Sequence, residues 1–186
     1  VFFTGCTVNY IYPKTGEAVV NILKQNGWTV VIPANQCCCG TPAFTSGDER
    51  TGIELAEKNV QVISAVQNAD LVVTACASCG AALKEEYGEL LKDSSSLKKW
   101  EKLSSKVLDI SQFVNKYCDL EKLGTLDHRV TYHDPCHLVR GMNVSDEPRA
   151  IIKSIPGIQY VEMTDANRCC GAGGSFSAVY YEVSRK

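Results

Sequence analysis

Eight cysteines in this chain fall into a repeated frame. Cys6 is followed after 31 residues by Cys38-Cys39 and, after 36 more, by Cys76-Ala77-Ser78-Cys79, which gives C-x31-CC-x36-C-x2-C. Further on, Cys136 is followed by Cys169-Cys170. Cys6 and Cys136 are 130 positions apart and Cys38 and Cys169 are 131 apart, so two landmarks recur at nearly one offset, the mark of a duplicated unit. Thiolates hold iron–sulfur clusters and closed zinc sites, and a thiol is more readily ionised at a helix N-terminus or beside a metal. A single cysteine reads first as a small buried apolar residue. A tandem pair and a C-x-x-C, repeated in one frame, read as metal or redox chemistry instead. Five thiolates in the first set, Cys6, Cys38, Cys39, Cys76 and Cys79, exceed what one cubane cluster needs. The surplus thiol is left to bridge irons or to take part in exchange.

The neighbouring residues are weaker candidates. Cys37 makes a run of three with Cys38 and Cys39 but lies outside the frame, where Arg168 is its counterpart, so it is expected to be auxiliary at most. Cys118 matches nothing and reads as a core or surface thiol. His133 and His137 flank Cys136 and could join it around zinc, donate to sulfur, or serve as polar residues at a strand end. The run Gly171-Ala172-Gly173-Gly174-Ser175 lacks the lysine of a P-loop and the order of a dinucleotide fingerprint. Its glycines are better explained by a close backbone approach to the metal site. No Ser/His/Asp set or carboxylate pair stands in register with the cysteines, so hydrolysis has no support.

These residues must be carried by a scaffold, and the periodicity says which. Strands are predicted at Val1 to Thr4, Thr29 to Ile32, Leu71 to Thr74, Val130 to Tyr132 and Ile158 to Val161. Between them run amphipathic segments at Glu17 to Gln25, Asp48 to Asn68 and Ala81 to Leu91, and a short helix is predicted near Ile110 to Tyr117. Strands alternating with helices predict an α/β fold of doubly wound, parallel-sheet units. In such a sheet the loops after the strands share one edge, so cysteines distant in sequence converge there. The serine- and charge-rich stretch Asp93 to Lys106 reads as loop. The expected organisation is a first unit at 1–92, a linker and short helix at 93–128, and a second, incomplete unit at 129–186.

Composition narrows the class. The 186 residues, 45% hydrophobic and 22% charged, suffice for a true core and exclude disorder. A net charge of −2 leaves no footprint for nucleic acid. The start, Val1-Phe2-Phe3-Thr4-Gly5-Cys6, has no basic region ahead of an apolar stretch, and no apolar run is long enough for a transmembrane segment. With ten cysteines and no secretory signal, the expected location is a reducing cytoplasm, or its membrane face through partner proteins.

Cys38-Cys39-Gly40 and Cys169-Cys170-Gly171, each preceded by a distant cysteine and the first followed by Cys76-x-x-Cys79, resemble the cysteine-rich CCG domain family. That family includes the cysteine-rich subunit of heterodisulfide reductase and the iron–sulfur subunits of glycolate oxidase and of the lactate-utilization complex. The resemblance runs from Cys6 to about Ser177, and His133-Asp134-Pro135-Cys136-His137 is closer to the glycolate and lactate branch. It implies an electron-carrying subunit with a [4Fe-4S] cluster on Cys6, Cys38, Cys39, Cys76 and Cys79. Cys136, Cys169 and Cys170 would form a second, incomplete site. It further implies a flavoprotein dehydrogenase subunit and another iron–sulfur subunit as partners, in a complex oxidising a 2-hydroxy acid such as lactate or glycolate. The alternatives are a heterodisulfide reductase-like subunit cleaving the disulfide of a thiol cofactor, a structural zinc protein, and a chain whose thiols oxidise in air and hold no cluster. A second C-x-x-C at the first unit's spacing would fall beyond Lys186, and the chain starts with Val inside a predicted strand, so it is expected to be a piece of a longer protein.

Overall fold

The computed structural model describes residues 1–173 and 176–185, so Gly174 and Ser175 of the glycine run lie outside the described residues. The helices in chain order are α1 (Pro13–Gln25), α2 (Thr41–Thr45), α3 (Glu49–Ser64), α4 (Ala77–Ala81), α5 (Tyr87–Leu90), α6 (Leu97–Ser104), α7 (Ile110–Tyr117), α8 (Cys136–Met142), α9 (Asp146–Ser154), α10 (Phe176–Val179) and α11 (Tyr181–Ser184). Two further turns, Thr7–Ile11 and Ala82–Glu86, are π-helical. Among the described residues no helix is long and apolar enough to cross a membrane.

Three short parallel strands organise the first part of the chain: β1 (Phe2–Phe3), β2 (Val72–Thr74) and β3 (Val107–Asp109), in that spatial order. Phe2 lies opposite Val73, and Val72 opposite Val107. Successive strand side chains point to opposite faces, and the sheet is accordingly covered on both. Phe3, Val72 and Val107 pack with Ala56, Val60 and Ile63 of α3, Tyr87 and Leu90 of α5, and Leu103 of α6. On the other face Phe2 and Val73 pack with Val19 and Leu23 of α1 and Phe113 and Val114 of α7. Trp28 closes that side edge-on to Phe113 and Tyr117, with ring centroids 5.4 and 5.2 Å away. This is the expected α/β arrangement of helices around parallel strands.

A second pair of parallel strands, β4 (His128–Val130) and β5 (Ile158–Tyr160), forms its own sheet, with His128 opposite Ile158 and Val130 opposite Tyr160. The two parts meet where α4 crosses α8, and the crossing is close because each helix offers a glycine. A methyl at Gly80 would stand 2.1 Å from the Met142 sulfur, and one at Gly141 would stand 2.4 Å from Ala81 Cβ.

Several expected elements differ. The segment Thr29 to Ile32 forms no ladder: a single bond from the Phe2 N–H to the Val31 carbonyl, 2.9 Å, holds it beside a strand only two residues long. The strand expected at Val130 to Tyr132 sits earlier, at His128–Val130. Pro13 starts α1 before Glu17, since a proline at the first helical turn lacks only an N–H that has no helical partner. Helix α3 begins after Asp48, whose carboxylate caps it by accepting from the Thr51 N–H. The stretch read as loop, Asp93 to Lys106, contains α6, pinned by the Trp100 indole N–H donating to the Leu83 carbonyl at 2.8 Å. Strand β3 follows at once and passes directly into α7 through a capping box in which Asp109 accepts from the Ser111 N–H and Gln112 accepts from the Asp109 N–H.

Candidate metal centre

Strands β1 and β2 are adjacent and parallel, so their carboxyl ends deliver Gly5-Cys6 and Cys76 to one edge of the sheet. Cys76 precedes the first residue of α4 and Cys79 lies within that helix. The loop bearing Cys37, Cys38 and Cys39 comes to the same edge. It is tied to β1 by Gln36, whose side-chain carbonyl accepts from the Thr4 N–H at 2.8 Å and whose amide donates to Phe2 O at 3.5 Å. Cys39 and Cys79 are buried, while Cys6, Cys38 and Cys76 are half-buried. Gly5, at φ +62°, lets the backbone pass so close that a methyl there would be 2.7 Å from the Cys79 sulfur.

The sulfurs shape one another's ionisation. Hydrogen bonds from the Cys38 and Cys79 thiols hold the Cys39 thiol well below its ordinary range. The Cys79 thiol likewise brings Cys76 down to about 6. Cys38 is pushed up, first by its bond to Cys39, and Cys79 by its bonds to Cys39 and Cys76. Two of the four sulfurs therefore favour the thiolate and two keep protons. Cys6 is near enough for its charge to bear on Cys38. Backbone N–H groups of Gly40, Thr41 and Ser78 face the sulfurs of Cys38, Cys39 and Cys76 in turn. The influences pass from Cys38 to Cys39, from Cys39 to Cys79 and from Cys79 to Cys76. Among the described residues no three His, Cys, Asp or Glu side chains close around the position of a single metal ion.

Behind the sulfurs lies a polar layer that the cysteine spacing does not reveal. Asn59 of α3, wholly buried, accepts from the Cys37 N–H at 2.9 Å and donates to the Cys38 carbonyl at 2.9 Å and to the Tyr87 hydroxyl at 3.2 Å. Tyr87, equally buried, donates to the Cys39 carbonyl at 2.8 Å, and burial pushes its own ionisation far up, so the hydroxyl stays a donor. Thr41 stands 3.5 Å from the Cys39 sulfur and donates to Glu86 at 3.0 Å. The Glu86 carboxyl is raised by burial, and the ring of His137 lies near enough to oppose that shift. Asn59 could have been suspected from the sequence: it interrupts the apolar stripe Ala56, Val60, Ile63 of α3 with an amide, and a buried amide demands partners. Tyr87 reads only as one more apolar residue of its helix, and nothing local marks its hydroxyl.

The remaining residues are less closely gathered. The Cys37 thiol turns toward α3, donating to Asn59 Oδ1 at 3.4 Å and to the Leu55 carbonyl at 3.8 Å. Cys118 lies against the Trp28 and Phe113 side of the sheet. In the second unit Cys136 is half-buried at the start of α8, whereas Cys169 and Cys170 are exposed. His133 Nε2 bonds the Arg168 carbonyl at 2.9 Å and the Asp134 N–H bonds the Ala166 carbonyl at 2.9 Å, so the loop before Cys136 is stapled to the loop before Cys169. Arg149 holds the same loop with a two-pronged pair to Asp134 at 2.7 and 2.8 Å and a further pair to Glu162 at 2.9 Å. His137 Nδ1 is buried without a hydrogen-bond partner. Of the glycine run, Gly171 at φ +70° approaches α11, where a methyl would be 3.0 Å from the Ser184 carbonyl, and Gly173 has open space around it. The close approach at Gly171 is thus to backbone.

The profile of the cysteine-rich CCG domain matches residues 1–84 and 130–186, the two stretches that carry the repeated cysteines. A subunit of the fumarate reductase (CoM/CoB) of Methanothermobacter marburgensis is 39% identical over 183 residues, which is 98% of this chain and 35% of that protein. The probable glycolate oxidase iron-sulfur subunit of Bacillus subtilis is 36% identical over 192 residues, covering 100% of this chain and 42% of that one. Lactate utilization protein A of Oceanobacillus iheyensis is 36% identical over 190 residues, 99% of this chain and 75% of its own. The chain thus spans about a third of the fumarate reductase subunit and three quarters of the lactate utilization protein. A profile match over both repeats, joined to near-complete coverage by such relatives, shows that this chain belongs to the cysteine-rich CCG domain family.

Proposed function

We propose that the chain is an iron–sulfur electron-transfer module of an oxidoreductase complex, with a cluster held by Cys39, Cys76 and Cys79 together with Cys38 or Cys6. The observation that carries this reading is the series of four interacting thiols drawn from two loops, with backbone N–H groups facing three of them and no carboxylate among the set. A single tetrahedral ion needs its ligands around one point. In an iron–sulfur cluster the thiolates bind separate irons, so they need not converge on one point. When bound, such a group supplies one-electron transfer. The chain's own part is to present two ready thiolates, to aim N–H donors at sulfur, and to wall off water with Phe3, Leu83, Tyr87 and Leu138. In keeping with relatives named for glycolate oxidase and lactate utilization, the proposed complex oxidises a 2-hydroxy acid, with a flavin-bearing partner and a further iron–sulfur subunit. A [4Fe-4S] cluster is the proposed type and the reducing cytoplasm the proposed site of action.

Anaerobic reconstitution with iron and sulfide tests the reading. About four irons per chain and a broad visible absorbance are expected for a [4Fe-4S] centre. Cys39→Ser and Cys76→Ser should abolish the colour, and Cys118→Ser should keep it. About one zinc with no colour would overturn the proposal. A second reading, cleavage of a thiol-cofactor disulfide, is favoured by the 39% identity to a subunit named for CoM and CoB and by the surplus thiol of the set. Turnover of a mixed disulfide by the reconstituted chain with a reduced dye would select it over the first.

A further inference from the structure

The Cys39–Gly40 peptide has two sides. Its carbonyl accepts the Tyr87 hydroxyl at 2.8 Å, and its N–H, which a trans peptide points the opposite way, faces the Cys38 sulfur. The next peptide back is held by its carbonyl too, with the Cys38 carbonyl accepting from Asn59 at 2.9 Å. Gly40 sits at φ +90°, and a glycine tolerates either sign of φ, so Gly40 itself does not keep this peptide from turning over. Packing also calls for glycine: Gly40 lies against the Gly52 carbonyl, where an added methyl would be at 3.1 Å, so the residue is retained and the freedom with it. The restraint on the peptide's orientation therefore comes from across the core.

We infer that Tyr87 is a positioning residue for the thiol site: its hydroxyl, by holding the Cys39 carbonyl, locks the Cys39–Gly40 peptide with its N–H toward the Cys38 sulfur. Asn59 supports it, since its amide donates to the Tyr87 oxygen at 3.2 Å and leaves the hydroxyl proton free for Cys39. Where Cys38 serves as a thiolate ligand, a reversed peptide would take the N–H away from its sulfur and bring a carbonyl oxygen to it, and like charges repel. The inference deepens the proposed function and rests on it for the role toward a cluster, while the lock itself is a property of the metal-free chain.

Tyr87→Phe removes only the hydroxyl and keeps the ring in the core. In the reduced, metal-free full chain, amide hydrogen exchange at Gly40, taken relative to the α3 amides, is expected to rise about fivefold, the size of one net hydrogen bond. Leu83→Ala, a truncation of an equally buried neighbour, should speed core amides together and leave that ratio unchanged. In the reconstituted protein Tyr87→Phe should release iron to a chelator faster and lower the midpoint potential, because hydrogen bonds to cluster sulfurs raise it. An unprotected Gly40 amide in the unsubstituted chain, or an equal ratio in Tyr87→Phe and the unsubstituted chain, would overturn the inference. Failure of the unsubstituted chain to take up iron would instead count against the proposed function, and the exchange ratio would still decide the lock.

Discussion

Asn59→Ala is the most informative single perturbation of the site's support. The side chain is wholly buried and serves two backbone groups of the cysteine loop, the Cys37 N–H and the Cys38 carbonyl, each at 2.9 Å. Truncation strands both, and a stranded buried polar group costs about 1–3 kcal/mol. The third bond, to Tyr87, is a smaller loss because that hydroxyl keeps its partner at the Cys39 carbonyl. The expected destabilisation is about 2–5 kcal/mol, a large share of the roughly 5–15 kcal/mol a domain holds. Urea unfolding of the reduced, metal-free chain measures it, provided the slope m stays constant. Because Asn59 and Tyr87 hold one loop, Asn59→Ala and Tyr87→Phe should be non-additive by about 0.5–3 kcal/mol. Val19→Ala, on the opposite face of the sheet, should add to Asn59→Ala without coupling. A cost under about 1 kcal/mol, or strict additivity with Tyr87→Phe, would refute the reasoning, since the loop would then be held by something else.

Two further outcomes are expected. Gly80→Ala should cost about 1–3 kcal/mol by overpacking against the buried Met142, and Met142→Ala in the same chain should recover part of it; a neutral Gly80→Ala in thermal unfolding would mean that α4 and α8 do not cross so closely. Arg149 and then Tyr160 hold the Glu162 carboxyl down at about 2, below its ordinary range, so its contribution is present above about pH 5 and is lost as pH falls through about 2. Glu162→Gln should therefore flatten the fall in melting temperature over that window, and an unchanged acid profile would remove Glu162 from the stability of the second unit.

Much of the site's chemistry was legible in the linear order of residues. The frame C-x31-CC-x36-C-x2-C and its recurrence at an offset of 130 or 131 depend only on sequence, and they mark the two stretches that the family profile matches. The alternation of β-branched runs with amphipathic stretches likewise identified parallel strands with helices around them, because period and residue type report which side is buried. Boundaries were less legible. A strand of two or three residues, such as Phe2–Phe3 or Val107–Asp109, carries too little periodicity to announce itself, and its pairing partner lies far along the chain. The stretch 93–106 reads as loop from its serines, yet Trp100 finds the Leu83 carbonyl and a groove at Gly88, and those partners turn it into a packed helix.

What the sequence by itself determined is which atoms could bind: the thiols and their order. Only the tertiary structure decided which thiols meet and in what electrical state, since Cys39 is favoured as a thiolate through Cys38 and Cys79, one its neighbour and the other 40 positions away. It also decided that Cys38 and Cys39 are drawn inward while Cys169 and Cys170 stand exposed, although the two pairs look alike in sequence. The physical reason is that ionisation and orientation are set by neighbours within a few ångströms. Asn59 and Tyr87 become neighbours of the cysteine loop only when α3 and α5 pack against one face of the sheet.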